Sequence, residues 1–368
     1  LSRRDRREAH DVDAFSTSVL DKLEPALEAN GDENICAPGF AEWPAPAKPL
    51  PTAPPAATGR LMERLSGERP VPERYRGGVI ALGNFDGFHL GHQAVVGRAV
   101  ARARAEGRPV LVATFDPHPV RFFRPDAAPF RLTTLEQRER LFAEAGADAM
   151  LVFTFDAALA AKSAEDFAEI LVKDIGAAAV VTGQDFTFGK GRSGNVTTLA
   201  QLGAALGMIA ETVGPVSLDG APVSSSRIRE ALQAGDCMAA AHLLTRPFAI
   251  QGIVIDGDKL GRTIGYPTAN IALGPYLRPR YGIYAVRGRL ADGRLLDGVA
   301  NLGIRPTFDP PKELLEPYFF DFNESLYGQV IEVELIHFLR DEMKFDAIEP
   351  LVAQIERDCE AAREILTP

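Results

Sequence analysis

From Gly77 onward the chain alternates short β-branched apolar runs with longer amphipathic stretches. Val79–Leu82, Val110–Phe115, Met150–Phe155 and Ala178–Thr182 are nearly continuous apolar runs, as expected of strands buried on both faces, and the segments between them carry helical spacing. The pattern predicts an α/β unit with a mostly parallel sheet. Overlapping capping boxes, Thr133-x-x-Glu136 and Thr134-x-x-Gln137, open a helix over residues 134–145, and Ser163-x-x-Asp166 opens the next. A helix over Ser226–Gln233, ended by Gly235, closes this unit. After Arg246-Pro247 the texture changes to apolar runs broken by glycine turns: Phe248–Ile255, Gly282–Leu290, Gly298–Asn301, Pro317–Phe322 and Val330–Phe338. That spacing predicts a small antiparallel β-barrel, followed by a helix over residues 347–365 with apolar Ile348, Leu351, Val352, Ile355 and Ile365.

The first 61 residues differ from the rest. Between Pro44 and Pro55 six of twelve residues are proline, interleaved with alanine, which removes backbone donors and favours extended polyproline II. The expected organisation is a disordered Pro/Ala-rich extension over 1–61, a first domain over 62–235, a linker over 236–246 and a second domain over 247–368. Met62 is the first methionine and is read as an alternative start; the other reading of the extension is a targeting or partner-binding arm, hinted at by Phe40 and Trp43.

Composition narrows the class. At 368 residues and 46% hydrophobic content the chain is long enough for about two domains. A net charge of −10 and a pI near 5.3, with no local basic patch, argue against nucleic acid as a partner. Cys36, Cys237 and Cys359 are widely separated, without CxxC or Cys/His spacing, and fit free thiols in a reducing cytoplasm. No apolar run approaches membrane-spanning length, and Arg3, Arg4, Arg6 and Arg7 are not followed by an apolar segment. Small-molecule partners, no membrane, and room for a weak homo-oligomer are the expectation.

Five segments carry candidate chemistry. Gly83-Asn84-Phe85-Asp86-Gly87-Phe88-His89-Leu90-Gly91-His92 lies where an apolar strand gives way to a helix, the place where open α/β sheets hold phosphates. Gly83, Gly87 and Gly91 permit close backbone approach, and His89 and His92, three apart, share one face of a turn. This reads as a nucleotide-phosphate site, against two histidines satisfied on a helix surface. Val223-Ser224-Ser225-Ser226-Arg227-Ile228-Arg229 suits ATP phosphates, or is a plain N-cap followed by surface arginines. The Thr182–Gly194 loop carries two aromatics and two cations that suit a planar ring and a phosphate, or it is an ordinary flexible loop. Thr114-Phe115-Asp116-Pro117-His118-Pro119 forms a pocket wall or merely a turn. In the second domain, Asp256–Arg262 and Gly265–Asn270 combine a phosphate-cradling turn with the neutral oxygens of Thr268 and Asn270, hard ligands suited to Mg²⁺. A hairpin turn followed by a strand is the alternative there.

GNFDGFHLGH, GQDFTFGKGRSG, VSSSRIR, GDKLGRTIGYPTAN, GVANLGIRPTF and EPYFFDFNESLYG, in this order and covering nearly everything from Gly77 to the C-terminal helix, resemble the bacterial bifunctional riboflavin kinase/FMN adenylyltransferases. The resemblance implies a Rossmann-like nucleotidyltransferase domain over 62–235 that converts FMN and ATP to FAD and pyrophosphate. It implies a β-barrel domain over 247–368 that phosphorylates riboflavin with ATP and Mg²⁺. It assigns catalytic roles to His89, His92, Arg229 and Glu316, and nucleotide contacts to Gly83, Phe85, Asp86, Gly91, Ser225, Ser226, Arg227, Gly257, Lys259, Gly261 and Arg262. Flavin contacts fall to Asp116, Asp185, Phe186, Phe188 and Arg305, and metal contacts to Thr268 and Asn270.

The residue types suit that division. In adenylyl transfer the FMN phosphate is already an anionic nucleophile, so the protein need only place donors around developing charge. His89, His92 and Arg229 are such donors, and a nearby phosphate is expected to favour the cationic imidazole over its ordinary pKa of about 6.5. Riboflavin offers a hydroxyl, which calls for a carboxylate base, here Glu316. Two departures from the family pattern stand out: Ser226 replaces a more usual threonine, and Pro317 follows Glu316, so this strand is expected to start at, or lie on, an edge. The competing readings are a monofunctional adenylyl- or cytidylyltransferase with an unrelated barrel, and a flavin-sensing module without catalysis. Thr268, Asn270 and Glu316 speak against the first, and retention of every reactive group against the second.

Overall fold

A computed structural model describes residues 62–256, 260–305 and 312–367, so the Pro/Ala-rich extension and Cys36 lie outside the described residues. Strands β1 (Glu63–Ser66), β2 (Val79–Leu82), β3 (Val110–Asp116), β4 (Ala149–Thr154), β5 (Ala179–Gly183) and β6 (Ile209–Val213) form a parallel sheet in the order β1-β4-β3-β2-β5-β6. Alternation along the central strands feeds two cores. Ile80, Leu82, Leu111, Ala113 and Val180 enter one, while Val79, Ala81, Val110, Val112 and Val181 enter the other. The edge strands β1 and β6 escaped the apolar reading because they bury little: in β1 only Leu65 is buried, and β6 has no buried residue.

The longer helices are α1 (Leu90–Glu106), α2 (Leu135–Glu144), α3 (Ala164–Glu169), α4 (Val196–Leu206), α5 (Ser225–Ala234) and α6 (Cys237–Leu244), with a small hairpin of β7 (Ser217–Leu218) and β8 (Ala221–Pro222) before α5. Of the two overlapping capping boxes the second forms: Thr134 caps α2 and Gln137 returns the bond. Thr133 is engaged elsewhere, by the Asp86 carboxylate. Because strand order reverses between β2 and β5, the carboxyl end of β2, which leads into α1, opens onto the crevice where such sheets bind ligands.

Six further strands, β9 (Phe248–Ile255), β10 (Asn270–Ala272), β11 (Gly282–Arg289), β12 (Leu295–Arg305), β13 (Lys312–Phe319) and β14 (Val330–Arg340), close into an antiparallel barrel in the order β10-β13-β12-β11-β14-β9. Helix α7 (Ile348–Leu366) packs Ala362 and Leu366 on the outer face against Ala285, Val299 and Phe320. Strand β12 is longer than the expected Gly298–Asn301, because its ends, Leu295–Asp297 and Ile304–Arg305, are exposed or half-buried and so extend the pairing beyond the buried run. Strand β13 starts five residues before Pro317 rather than at it. The Pro317 carbonyl accepts from the Ala269 amide, one residue before β10 begins, so the missing N–H faces a neighbour whose ladder has not started. The expected edge exists, but locally, within a closed barrel.

The expected linker is a correction. Residues 237–244 form α6, whose Cys237, Ala240, Leu243 and Leu244 are buried. They belong to one cluster with Leu132, Ile228 and Leu232 of the first domain and Phe248, Tyr276, Tyr284 and Leu335 of the barrel. The two domains therefore share a core across their junction. Truncating Leu244, 1% exposed, to alanine is expected to cost about 2–5 kcal/mol. Heat inactivation of activities housed in either domain should shift down together; a shift confined to one domain would show that the cores unfold independently.

Candidate active sites

The loop leaving β2 is shaped by two buried phenylalanines at positive φ, Phe85 (50°) and Phe88 (43°). Phe85, expected at the nucleotide, is instead a core residue that sets its ring edge against His92 at 5.4 Å and against Phe142 at 5.7 Å. His89 is the N-cap of α1 and His92 lies in its first turn, so the imidazoles stack at 3.6 Å with 20° between planes. A Cβ at Gly91 would come within 3.2 Å of the His89 ring, and one at Gly87 (φ +85°) within 2.8 Å of Leu132. At Gly83 it would sit 3.1 Å from the Phe85 ring. The three glycines thus make room for the protein's own packing around the site.

The protein's own surroundings work against the cationic imidazoles that a nearby phosphate is expected to favour. Burial pushes His89 down to about 4, with Asp86 opposing and Arg246 and Arg229 reinforcing. His92 is held well below its ordinary range by burial, then by His89, Arg138, Arg229 and Arg246. Desolvation and surrounding guanidinia keep the pair neutral at pH 7, each still able to donate one N–H. Both leave Nδ1 buried without a partner.

A cleft of about 570 Å³ opens here, bordered by Asn84, Asp86, His92, His118, Phe130, Ser225 and Arg229. Asp86, 3% exposed, accepts from the amides of Leu132 (2.9 Å) and Thr133 (3.0 Å) and from Arg229 Nη2 at 2.7 Å. Arg229 also donates to the Phe130 carbonyl and lies over its ring, so Asp86 braces the cation. Ser225 donates to the Asp86 carbonyl, and Ser226 is exposed in the first turn of α5. Arg227 departs from expectation: its Nη1 is bound to the carbonyls of Ala221 and Pro222, where it clamps the β7–β8 hairpin.

Of the flavin candidates, Asp116 at the end of β3 is paired with Arg131, and Asp185 is exposed. Phe188 is a correction, since it is 7% exposed and packed on Phe167 in the core; Phe186 stacks on it, half-buried. The exposed aromatic surface at the β3 and β4 ends is Phe123 (66% exposed), with Phe122 and Phe155. It was missed because Phe122-Phe123 follows Val120-Arg121 like any core run. His118, in the segment read as a pocket wall or a turn, borders the cleft, and Arg138 and Arg246 are further additions. His118 accepts from Val120 N and is pushed to about 4 by burial. Arg138, wholly buried, props the Asn84 carbonyl and Thr114. Arg246 donates to the Gly87 and Phe88 carbonyls. A lone Arg inside a helical pattern reads as surface, so no local signal marks Arg138.

On the barrel, Ile271 pairs with Leu315, which pairs with Leu302, all three pointing into the interior. One rung away Asn270, Glu316 and Asn301 therefore share the outer face at one level. Glu316 is held by a two-oxygen ion pair with Arg305, whose Nε lies 2.9 and 2.8 Å from the carboxylate oxygens. Arg305, expected at the flavin, is thus placed on the expected base. Asn301 Oδ1 is buried without a partner beside it, a residue that sequence reading did not single out. Thr268 is half-buried two residues before β10, and Gly261 lies in a single helical turn, Leu260–Thr263, where a Cβ would clash with the Tyr266 carbonyl. Gly257, Lys259 and the Arg262 side chain lie outside the described residues.

Comparison with known proteins matches two family models in order, FAD synthetase over residues 71–227 and riboflavin kinase over residues 244–366. Bifunctional riboflavin kinase/FMN adenylyltransferases from Haemophilus influenzae and Bacillus subtilis are 41% and 39% identical, over 78% and 79% of this chain and 94% and 93% of theirs. Among solved structures, a macrolide-efflux protein from Streptococcus pneumoniae superposes with TM-score 0.73 at 30% identity, covering 82% of this chain and 99% of that one.

With folded values near 4 against about 6.5 unfolded, neutral burial of His89 and His118 contributes stability that is present above about pH 6.5 and lost as pH falls towards 4. Proton NMR titration should find both imidazoles uncharged at pH 6. Midpoints at 6.5 or above would contradict the desolvated site, and His118→Gln should make the melting temperature less sensitive to pH in that window.

Proposed function

The chain belongs to the family of bifunctional riboflavin kinase/FMN adenylyltransferases, and on that premise we propose which of its residues carry each reaction. The barrel domain phosphorylates riboflavin to FMN with ATP, and the first domain adenylylates FMN to FAD with release of pyrophosphate. The observation that carries the residue assignment is the stacked His89–His92 pair at the start of α1, with His92 and Arg229 bordering the same cleft.

In the first domain the FMN phosphate attacks the α-phosphorus of ATP and the bond to pyrophosphate breaks. No proton need be removed from the nucleophile, so the protein's task is to place donors. His92 and His89 donate N–H groups to phosphoryl oxygens, and Arg229 adds positive charge where it develops on the transferred and leaving groups. Neutral imidazoles suit this role because they donate without adding charge to a site already holding Arg138, Arg229 and Arg246. Ser226, exposed in the first turn of α5, offers its hydroxyl to an ATP phosphate, and Phe123 offers an exposed face to the flavin ring.

In the barrel, Glu316 takes the proton of the riboflavin hydroxyl as that oxygen attacks the γ-phosphorus. Arg305 orients the carboxylate and must yield one of its oxygens when the substrate arrives. Thr268, Asn270 and the unpartnered Asn301 Oδ1 fit a hard cation that keeps much of its water, and they would hold Mg²⁺ jointly with substrate phosphates. When bound, Mg²⁺ neutralises phosphate charge. Free Cys237 and Cys359 fit a reducing cytoplasm as the place of action.

The test is incubation of the purified chain with riboflavin, ATP and Mg²⁺, reading FMN and FAD separately. His92→Ala should slow FAD formation about 10²- to 10³-fold and spare FMN formation. Glu316→Gln should slow FMN formation about 10²- to 10⁴-fold while supplied FMN is still adenylylated. Full kinase activity in Glu316→Gln would move the base elsewhere, and loss of both reactions in His92→Ala would refute two separate sites. Asn270→Ala should raise the Mg²⁺ concentration needed for half-maximal FMN formation; an unchanged requirement would remove Asn270 from the metal site.

A further inference from the structure

We propose that the kinase barrel positions the adenylylation site's own cation: Tyr276 and the Pro275–Leu277 edge hold the 131–134 strap whose amides fix Asp86 against Arg229. The inference rests on the assignment of Arg229 to adenylyl transfer.

The strap faces two ways. Its Leu132 and Thr133 amides, with the Thr133 hydroxyl, are donors to the Asp86 carboxylate, which in turn holds Arg229. Its Arg131 backbone is bonded on both sides to the barrel: Arg131 N donates to the Pro275 carbonyl at 3.1 Å, and Leu277 N donates to the Arg131 carbonyl at 2.8 Å. Between these edges the Leu132 side chain, 1% exposed, sits in the core shared by the two domains.

The next residue is anchored through a side chain. Gln137 Oε1 accepts from Thr134 N at 3.0 Å and from the Tyr276 hydroxyl at 2.8 Å, while Nε2 donates to the Ala249 carbonyl and to Glu332. Three of those four bonds go to the barrel, and the fourth fixes the residue that follows Thr133. Tyr276 is 1% exposed and also accepts from Gln251 N, so its oxygen is committed to this junction. A strap with no regular sheet of its own thus takes its position from the barrel and passes it to Asp86. Because a misplaced donor loses transition-state stabilisation before it loses substrate binding, the consequence belongs in kcat.

The test uses the full chain with Tyr276→Phe and, independently, Gln137→Met. Each should lower kcat for FAD formation from supplied FMN roughly three- to tenfold, the scale of one lost hydrogen bond. KM for FMN and ATP should stay unchanged, and riboflavin phosphorylation, the reaction of the domain carrying Tyr276, should keep its full rate. In an Arg229→Ala background Tyr276→Phe should cost nothing more, since the residue it positions is gone. Full FAD formation in both variants would overturn the proposal. So would an equal loss in both reactions, which marks general destabilisation, or an undiminished loss without Arg229. If His92→Ala and Arg229→Ala both left FAD formation intact, the underlying assignment would fail and this inference with it.

Discussion

A carboxylate buried to 3% exposure is tolerable only when its oxygens are met by donors, and Asp86 is where this requirement organises the molecule. Its partners come from different parts of the chain: the Leu132 and Thr133 amides before α2, and the Arg229 guanidinium in α5. Satisfying that one group therefore fixes the β2–α1 loop, the strap and the cation relative to one another. The Gly87 amide, bonded to the Thr133 hydroxyl, adds the loop's backbone to the same knot.

Around the knot the balance of charge is unusual. Arg138 is buried and Arg246 half-buried, both are pushed down to about 10 by desolvation, and their contacts are largely with carbonyl and hydroxyl oxygens rather than carboxylates. The same loss of water keeps His89 and His92 uncharged. Desolvated cations that meet few carboxylates cost stability unless anionic or carbonyl oxygens compensate them. The barrel site is built differently, with neutral amide oxygens and one glutamate on an outer barrel face, the glutamate restrained by Arg305. The cleft of the first domain and the outer face of the barrel thus offer different chemical surroundings within a single chain.

How much of this was legible in the sequence differs by level. The central strands, the α2 and α3 capping boxes, the barrel and the C-terminal helix follow from local patterns, because apolar periodicity and caps are properties of neighbouring residues. Edge strands β1 and β6 did not show, since a strand that buries one residue or none carries no apolar run. The α6 segment failed as a linker for a related reason: eight residues are too few for periodicity to register, and only packing against two domains reveals that they are core.

The sequence by itself determined the two-part architecture, the order of the two chemistries and the residue types available at each site, since these depend on composition, spacing and motif order along one chain. The tertiary structure decided which polar groups face which. It turned Phe85 and Phe188 into packing, put Arg227 on a hairpin and Arg305 on Glu316, and brought Arg138, Arg246 and Asn301 to the sites from positions with no local signal. It also decided that the histidines are neutral, because desolvation depends on everything packed around a ring rather than on its neighbours in sequence.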